Sequence, residues 1–205
     1  MTSYPICDLF ASIQGEGSWT GRPVVFVRFS GCPLRCDWCD EPLHRDPQAV
    51  RRLNLDELLR EITSVGAGIP SVVLTGGEPL IQPGLQELIL ALKQQGYWVA
   101  METSGVGGVF PIELDWITLS PKTSLTDECY QSAHEIKFVI VAPLDPNLEQ
   151  TIGHWMERHG RVLVQPVARN ETMDPEAARL CYQLVMASRG RLRLSLQTHR
   201  WLGVR

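Results

Sequence analysis

The sequence predicts an α/β fold: an open, partial (βα) barrel with its active site at the C-terminal ends of the strands. Three observations carry that expectation. Short apolar, β-branched runs alternate with helical patterns along most of the chain, the pattern of parallel strands joined by helical crossovers. The chain has 205 residues, whereas a closed eight-stranded barrel typically takes about 250. The polar and glycine-rich motifs fall just after the strands, where such sheets build their sites.

Core strands are expected at 24–29, 71–75, 97–102, 116–119, 136–141, 161–165 and 191–196, where Val, Ile, Leu or aromatic residues concentrate. Between them, Asn54 caps a helix over 55–62, with Glu57 placed to complete a capping box. Leu85, Leu88, Ile89 and Leu92 recur at helical spacing, and Gly96 ends that run. Asp174-Pro175-Glu176 opens another helix, with Asp at the cap and Pro at the first position. No repeat, low-complexity tract or long linker divides the chain, so residues 1–205 are expected to form one domain.

With 44% hydrophobic and 20% charged residues, the chain can bury an ordinary globular core. Its net charge of −4 argues against a nucleic-acid partner, which wants a basic surface. No apolar run reaches the length of a membrane span, and MTSYPICDLF lacks the basic start and apolar stretch of a signal peptide. A cytoplasmic location with no membrane contact is expected. In that reducing compartment six cysteines read as ligands or catalytic groups rather than disulfides. Cys7, Cys129 and Cys181 are scattered through apolar or helical stretches and read as small buried hydrophobes.

The other three are clustered. The strand VVFVRFS runs into GCPLRCDWCDEP, so Cys32, Cys36 and Cys39 follow a C-x3-C-x2-C spacing. An iron–sulfur cube takes one thiolate per iron. Three cysteines in one loop therefore hold a 4Fe–4S cluster and leave one iron open for chemistry. Gly31 and Pro33 suit a loop that folds sharply, and Trp38 can shield the cluster or stack on an adenine. The alternative is a zinc knuckle completed by His44. Zinc sites usually pair one C-x2-C with a second some distance away, and this sequence has no second pair.

The cysteine spacing resembles the signature of the radical S-adenosylmethionine superfamily, and the expected barrel is of that type. After the strand at 71–75 comes Gly76-Gly77-Glu78-Pro79, two glycines that let backbone approach a ligand and a carboxylate beside them. Alone this is a tight strand-to-helix turn. Downstream of the cysteines it is similar to the superfamily's GGEP motif, which receives the amino group of S-adenosylmethionine. Three more strand ends carry polar residues: Glu102-Thr103-Ser104, Ser120-Pro121-Lys122 and Gln165-Pro166. One such end is ordinarily solvated; several on the rim of one sheet point to a site. There Lys122 can pair with a carboxylate and Glu102 can bond ribose hydroxyls.

The stretch LFASIQGEG, Arg28, TGGEP, METSG, SPK, the VQP segment and the terminal LQTHRWLG together resemble the 7-carboxy-7-deazaguanine synthase family, in the right order across almost the whole chain. The resemblance implies a radical lyase. Reductive cleavage of S-adenosylmethionine gives a 5′-deoxyadenosyl radical that abstracts hydrogen from C6 of 6-carboxy-5,6,7,8-tetrahydropterin. Ring contraction with loss of ammonia then gives 7-carboxy-7-deazaguanine, for queuosine and other 7-deazapurines. The protein's part is positioning.

Carried over residue by residue, substrate contacts are implied at Ile13, Gln14, Gly15, Glu16, Arg28, Thr75 and the last residue, Arg205. Gln14 and Glu16 offer acceptors and donors to a pterin edge, and Arg28 can hold a carboxylate bidentately; the plainer alternative for Arg28 is a surface arginine on a strand. Contacts to S-adenosylmethionine are implied at Trp38, Cys39, Asp40, Gly77, Glu78, Glu102, Ser104, Ser120, Pro121, Lys122 and residues Gln165, Pro166, Val167 and Ala168. The family also implies magnesium, commonly bound through a Thr or Ser after the third cysteine's CD pair. Glu41 stands there instead. It is also a hard oxygen ligand, though a longer and anionic one. The segment EPLHRDPQAVRR is unlike a simple cluster loop and is expected to shape contacts of its own. A homodimer and an electron donor of the flavodoxin or ferredoxin type are further implications. Two other readings stay open: a radical enzyme that activates a partner protein, and a non-catalytic zinc-binding interaction module.

Overall fold

The computed structural model describes residues 2–169 and 172–205. Eleven strands are present among them. These are β1 (Tyr4–Ile13), β2 (Pro23–Phe29), β3 (Arg51–Leu53), β4 (Ser71–Gly76), β5 (Trp98–Thr103), β6 (Trp116–Leu119), β7 (Glu135–Ile140), β8 (Val162–Pro166), β9 (Ala168–Arg169), β10 (Thr172–Met173) and β11 (Leu192–Leu194). Nine form one sheet in the order β11-β8-β7-β6-β5-β4-β2-β1-β3, and β9 pairs with β10 separately. Every neighbouring pair from β2 through β11 is parallel. The sheet ends at β11 on one side and β3 on the other, so it stays open, as its length required.

All seven expected strands are there, and two further strands extend the sheet. β1 lies antiparallel against both β2 and β3, so the stretch LFASI, read from the sequence only as a motif, is also a strand. The six α-helices among the described residues are α1 (Leu55–Gly66), α2 (Leu85–Gln94), α3 (Asp127–Gln131), α4 (Pro146–Met156), α5 (Pro175–Ala187) and α6 (Thr198–Leu202). The capping box of α1 is formed: Glu57 N donates to Asn54 Oδ1 at 3.0 Å, and Asn54 N to Glu57 Oε2 at 2.8 Å. Asp174 caps α5 by accepting from Ala177 N at 2.9 Å. Asp145-Pro146 opens α4 by the same device, a signal not used in reading the sequence. None of the described helices is long and apolar enough to cross a membrane.

Two layers of core follow from strand parity. Residues of the sheet's outer face pack against Leu58 and Ile62 of α1, Leu88, Ile89 and Leu92 of α2, and Ile152 and Trp155 of α4. The inner face has a separate apolar floor of Phe10, Val24, Phe26, Val73, Ala100 and Trp116, with Trp19 and Trp98 against it. Trp19 meets Trp98 and Trp116 edge-on at 5.1 and 5.3 Å, and the Arg22 guanidinium lies 3.9 Å from the Trp98 ring. Two residues beyond Phe26, Val73, Ala100 and Trp116 the same face becomes polar: Arg28, Thr75, Glu102 and Thr118 border one cavity, together with Lys137 and Gln165 of β7 and β8.

Candidate active site

The cavity, about 590 Å³, lies at the C-terminal ends of the parallel strands. The loop leaving β2 brings Cys32, Cys36 and Cys39 to its wall, and all three are free thiols. Burial pushes the Cys32 and Cys39 thiols up, so these sulfurs keep their protons until a metal takes their place. Among the described residues, no three His, Cys, Asp or Glu side chains converge closely enough for a single metal ion. His44 does approach one cysteine, its Nε2 lying 3.4 Å from Cys39 Sγ.

The glycines after β4 have a use beyond ligand approach. Gly77 N donates to Phe29 O at 2.8 Å and Glu78 N to Gly31 O at 2.9 Å, tying this turn to the cysteine loop. A Cβ on Gly77 would lie 1.9 Å from Gly31 O, so only glycine permits the approach. Glu78 does not face the cavity. Its carboxylate, 1% exposed, accepts from Thr103 Oγ1 at 2.5 Å, from Ser104 N and Oγ at 2.8 and 2.5 Å, and from Leu80 N at 3.1 Å. Through these bonds it braces the end of β5.

Of the residues singled out in the sequence, Gly15, Glu78 and Pro121 stand off the cavity wall, and the others border it. Gly15 works through its backbone: its carbonyl accepts from Thr198 N and Oγ1, both at 3.0 Å. A side chain at Gly15 would strike the His199 ring 1.9 Å away. Gln14 donates through Nε2 to Glu102 Oε1 at 2.7 Å, and its Oε1 accepts from Glu16 N at 3.1 Å. Lys122 donates to Ser120 Oγ at 2.5 Å and lies 5.0 Å from the Trp38 ring. Burial, assisted by the Lys137 charge, lowers the Lys122 ammonium to about 8. Arg205 is mostly exposed; it pairs with Asp8, and its guanidinium lies 4.4 Å from the Phe10 ring at the cavity mouth.

Arg28 and Glu41 form an ion pair, Nε to Oε2 at 3.1 Å. The approach is off the line of the N–H, so that buried donor has no proper hydrogen bond. Glu41 Oε1 meanwhile accepts from Leu43 N at 3.1 Å and caps the short turn that follows. Both oxygens of the expected magnesium ligand thus already face protein donors.

The residue that sequence reading missed is Lys137. It stands inside the apolar strand EIKFVI, 6% exposed, and forms an ion pair with Glu16. Gln197 Nε2 also donates to Glu16 Oε1 at 2.7 Å, and to Asp40 Oδ2 at 2.8 Å. Burial raises the Glu16 carboxyl, but the Lys137 charge and hydrogen bonds from Lys137, Gln197 and Gln165 prevail and hold it well below the usual range. Glu102, beside the same lysine but lacking its direct bond, is pushed up by burial and by Glu16. The two neighbouring carboxyls are thus driven in opposite directions, Glu16 down and Glu102 up. His199 and Arg200 complete the wall; a lysine in an otherwise apolar strand, and the LQTHR run, were the available signals.

Comparison with known proteins agrees with this geometry. The profile of the radical SAM superfamily matches residues 26–123. A 7-carboxy-7-deazaguanine synthase from Synechocystis sp. is 37% identical, the match covering 99% of this chain and 94% of the relative. One from Haemophilus influenzae is 31% identical, over 98% and 94%. The crystal structure of QueE from Escherichia coli superimposes with a TM-score of 0.77 at 29% identity, covering 95% of this chain and 94% of that one. Likeness at this level, extending over both chain ends and the cysteine loop between them, means that the chain belongs to the 7-carboxy-7-deazaguanine synthase family of radical SAM enzymes.

Proposed function

We propose that the chain converts 6-carboxy-5,6,7,8-tetrahydropterin to 7-carboxy-7-deazaguanine with loss of ammonia, a lyase step toward queuosine and other 7-deazapurines. The observation that carries this reading is the meeting of the two chain ends, at Gln14–Glu16 and Gln197–Arg200, on the cavity of the cysteine loop. Membership in the superfamily implies a 4Fe–4S cluster and S-adenosylmethionine. The donor set suits the cluster: three free thiols on one wall, with the cavity in front of them. When bound, the cluster supplies the electron that cleaves S-adenosylmethionine and so starts hydrogen abstraction.

The chain's own residues position and shield. Cys32, Cys36 and Cys39 hold the cluster. The backbone at Gly77, together with Trp38, Asp40, Ser104, Ser120, Lys122 and residues 165–168, holds S-adenosylmethionine. Arg28 takes the substrate carboxylate through its two Nη groups while its Nε stays beside Glu41. Ile13 and Thr75 flank the ring. Glu16, kept ionised by Lys137, accepts N–H groups of the pterin edge. Glu102, on the same wall, bonds the ribose hydroxyls of S-adenosylmethionine. His199, Arg200 and Arg205 roof the cavity and exclude water.

Magnesium fits less well. Glu41 has hard oxygens, but the Arg28 cation is already 3.1 Å from one of them, and a dication there would compete with it. No step is assigned to the ion. The reading includes a cytoplasmic homodimer served by a flavodoxin or ferredoxin type donor, and treats residues 1–205 as one catalytic unit because both ends of the chain build the site. The test is anaerobic incubation with S-adenosylmethionine, a reductant and the carboxytetrahydropterin, with the product identified by mass. Cleavage of S-adenosylmethionine without any deazaguanine would refute the substrate.

A further inference from the structure

We propose that His44 is a positioning residue for the cluster, donating a hydrogen bond from Nε2–H to the Cys39 sulfur and so raising the cluster's reduction potential. The inference rests on the cluster reading above. His44 is 3% exposed, in the turn that follows the cysteine loop. Its carbonyl accepts from Gly31 N at 2.9 Å and from Ser30 Oγ at 3.1 Å, so the backbone carrying the imidazole is fastened to the start of the same loop. The ring then has little choice of position, and its Nε2 stands 3.4 Å from Cys39 Sγ, within reach of a sulfur acceptor.

The proton's place follows from the partners. Nδ1 is buried and has none. An orphaned buried N–H is rarer than an orphaned lone pair, which puts the hydrogen on Nε2, facing the sulfur. Cys39 Sγ in turn faces Glu41 O at 3.6 Å, the direction of its own thiol proton. Binding iron removes that proton. The sulfur is then an anionic acceptor with the imidazole N–H already aimed at it. Hydrogen bonds to cluster sulfurs draw charge from the irons and favour the reduced, more negative state.

The test uses anaerobically reconstituted parent, His44→Leu and His44→Gln proteins, each assayed for iron and sulfide and titrated for cluster reduction by EPR. Leu fills the space without a donor and should shift the reduction equilibrium about tenfold toward the oxidised form, 59 mV for one electron. Gln keeps an N–H and should recover part of that shift. Intact clusters with equal potentials in the parent and His44→Leu would overturn the inference. One measurement needs no variant: parent protein with 15N-imidazole histidine should show weak nitrogen coupling to the reduced cluster in pulsed EPR, and its absence would also overturn it. Failure of the cluster reading itself is distinguished by the iron and sulfide content of the parent.

Discussion

Lys137→Met removes one charge from the middle of the site and leaves the aliphatic stem nearly unchanged. The lysine is 6% exposed and its partner Glu16 14% exposed, so both ends of the pair are largely out of water. Deleting one partner of a buried pair costs about 3–5 kcal/mol, because the other charge is stranded. Gln197 still donates to Glu16 at 2.7 Å, and the carboxyl can relieve the strain by taking a proton. The lower end, about 3 kcal/mol at pH 8, is therefore expected. For a chain of this length that lowers Tm by about 6–12 °C. The pH dependence has a definite sign. In the parent, Glu16 is held below its unfolded value, so its contribution is complete above about pH 4.3 and fades only as pH falls toward the depressed value. In the variant burial prevails and the folded value rises above the unfolded one, so the group favours folding at low pH and opposes it as pH rises. Anaerobic melting of both proteins should show the deficit shrinking from pH 8 to pH 5. The pterin KM should rise while unproductive cleavage of S-adenosylmethionine continues. A Tm change under about 2 °C at pH 8, or a deficit that widens at pH 5, would refute the reasoning.

Reconstituted protein should carry about four irons and four sulfides per chain. Replacing Cys32, Cys36 or Cys39 by Ala should abolish that content and the brown colour, whereas Cys129→Ala should keep both, as iron assay and absorption will show. Arg28→Ala should retain the cluster and slow cofactor cleavage but lose about 2–5 kcal/mol in kcat/KM for the pterin; turnover at the parent's rate would place the substrate carboxylate elsewhere. Stripping divalent ions with a chelator should leave most product formation intact, because Arg28 already serves Glu41 as counter-cation. Loss of activity on chelation, restored by magnesium, would contradict that.

What could be read from the sequence divides along physical lines. The parallel strands were legible because buried strands are apolar on both faces and need no knowledge of register. β1 was not, and the reason is local. Tyr4 and Ile6 pack in the helix-side core and Phe10 in the inner floor, with a register shift between Ile6 and Asp8 that turns the strand over. A bulge of that kind breaks the alternation by which a strand is recognised. The cysteines were legible because ligand spacing is local in sequence. Lys137 was not, because a lysine in EIKFVI gains meaning only when Glu16, far away in the chain, is known to face it. For Glu78 the motif shows a carboxylate beside two glycines; that Thr103 and Ser104, at the end of β5, donate to it is visible only in the fold. Parallel strands deliver side chains to one rim but do not roof it. Here the roof comes from residues 197–205, clamped to the β1–β2 loop through Gly15 and Glu16. A substitution that loosens this clamp, even one remote from the cysteines, should therefore act on substrate affinity before it acts on the cluster.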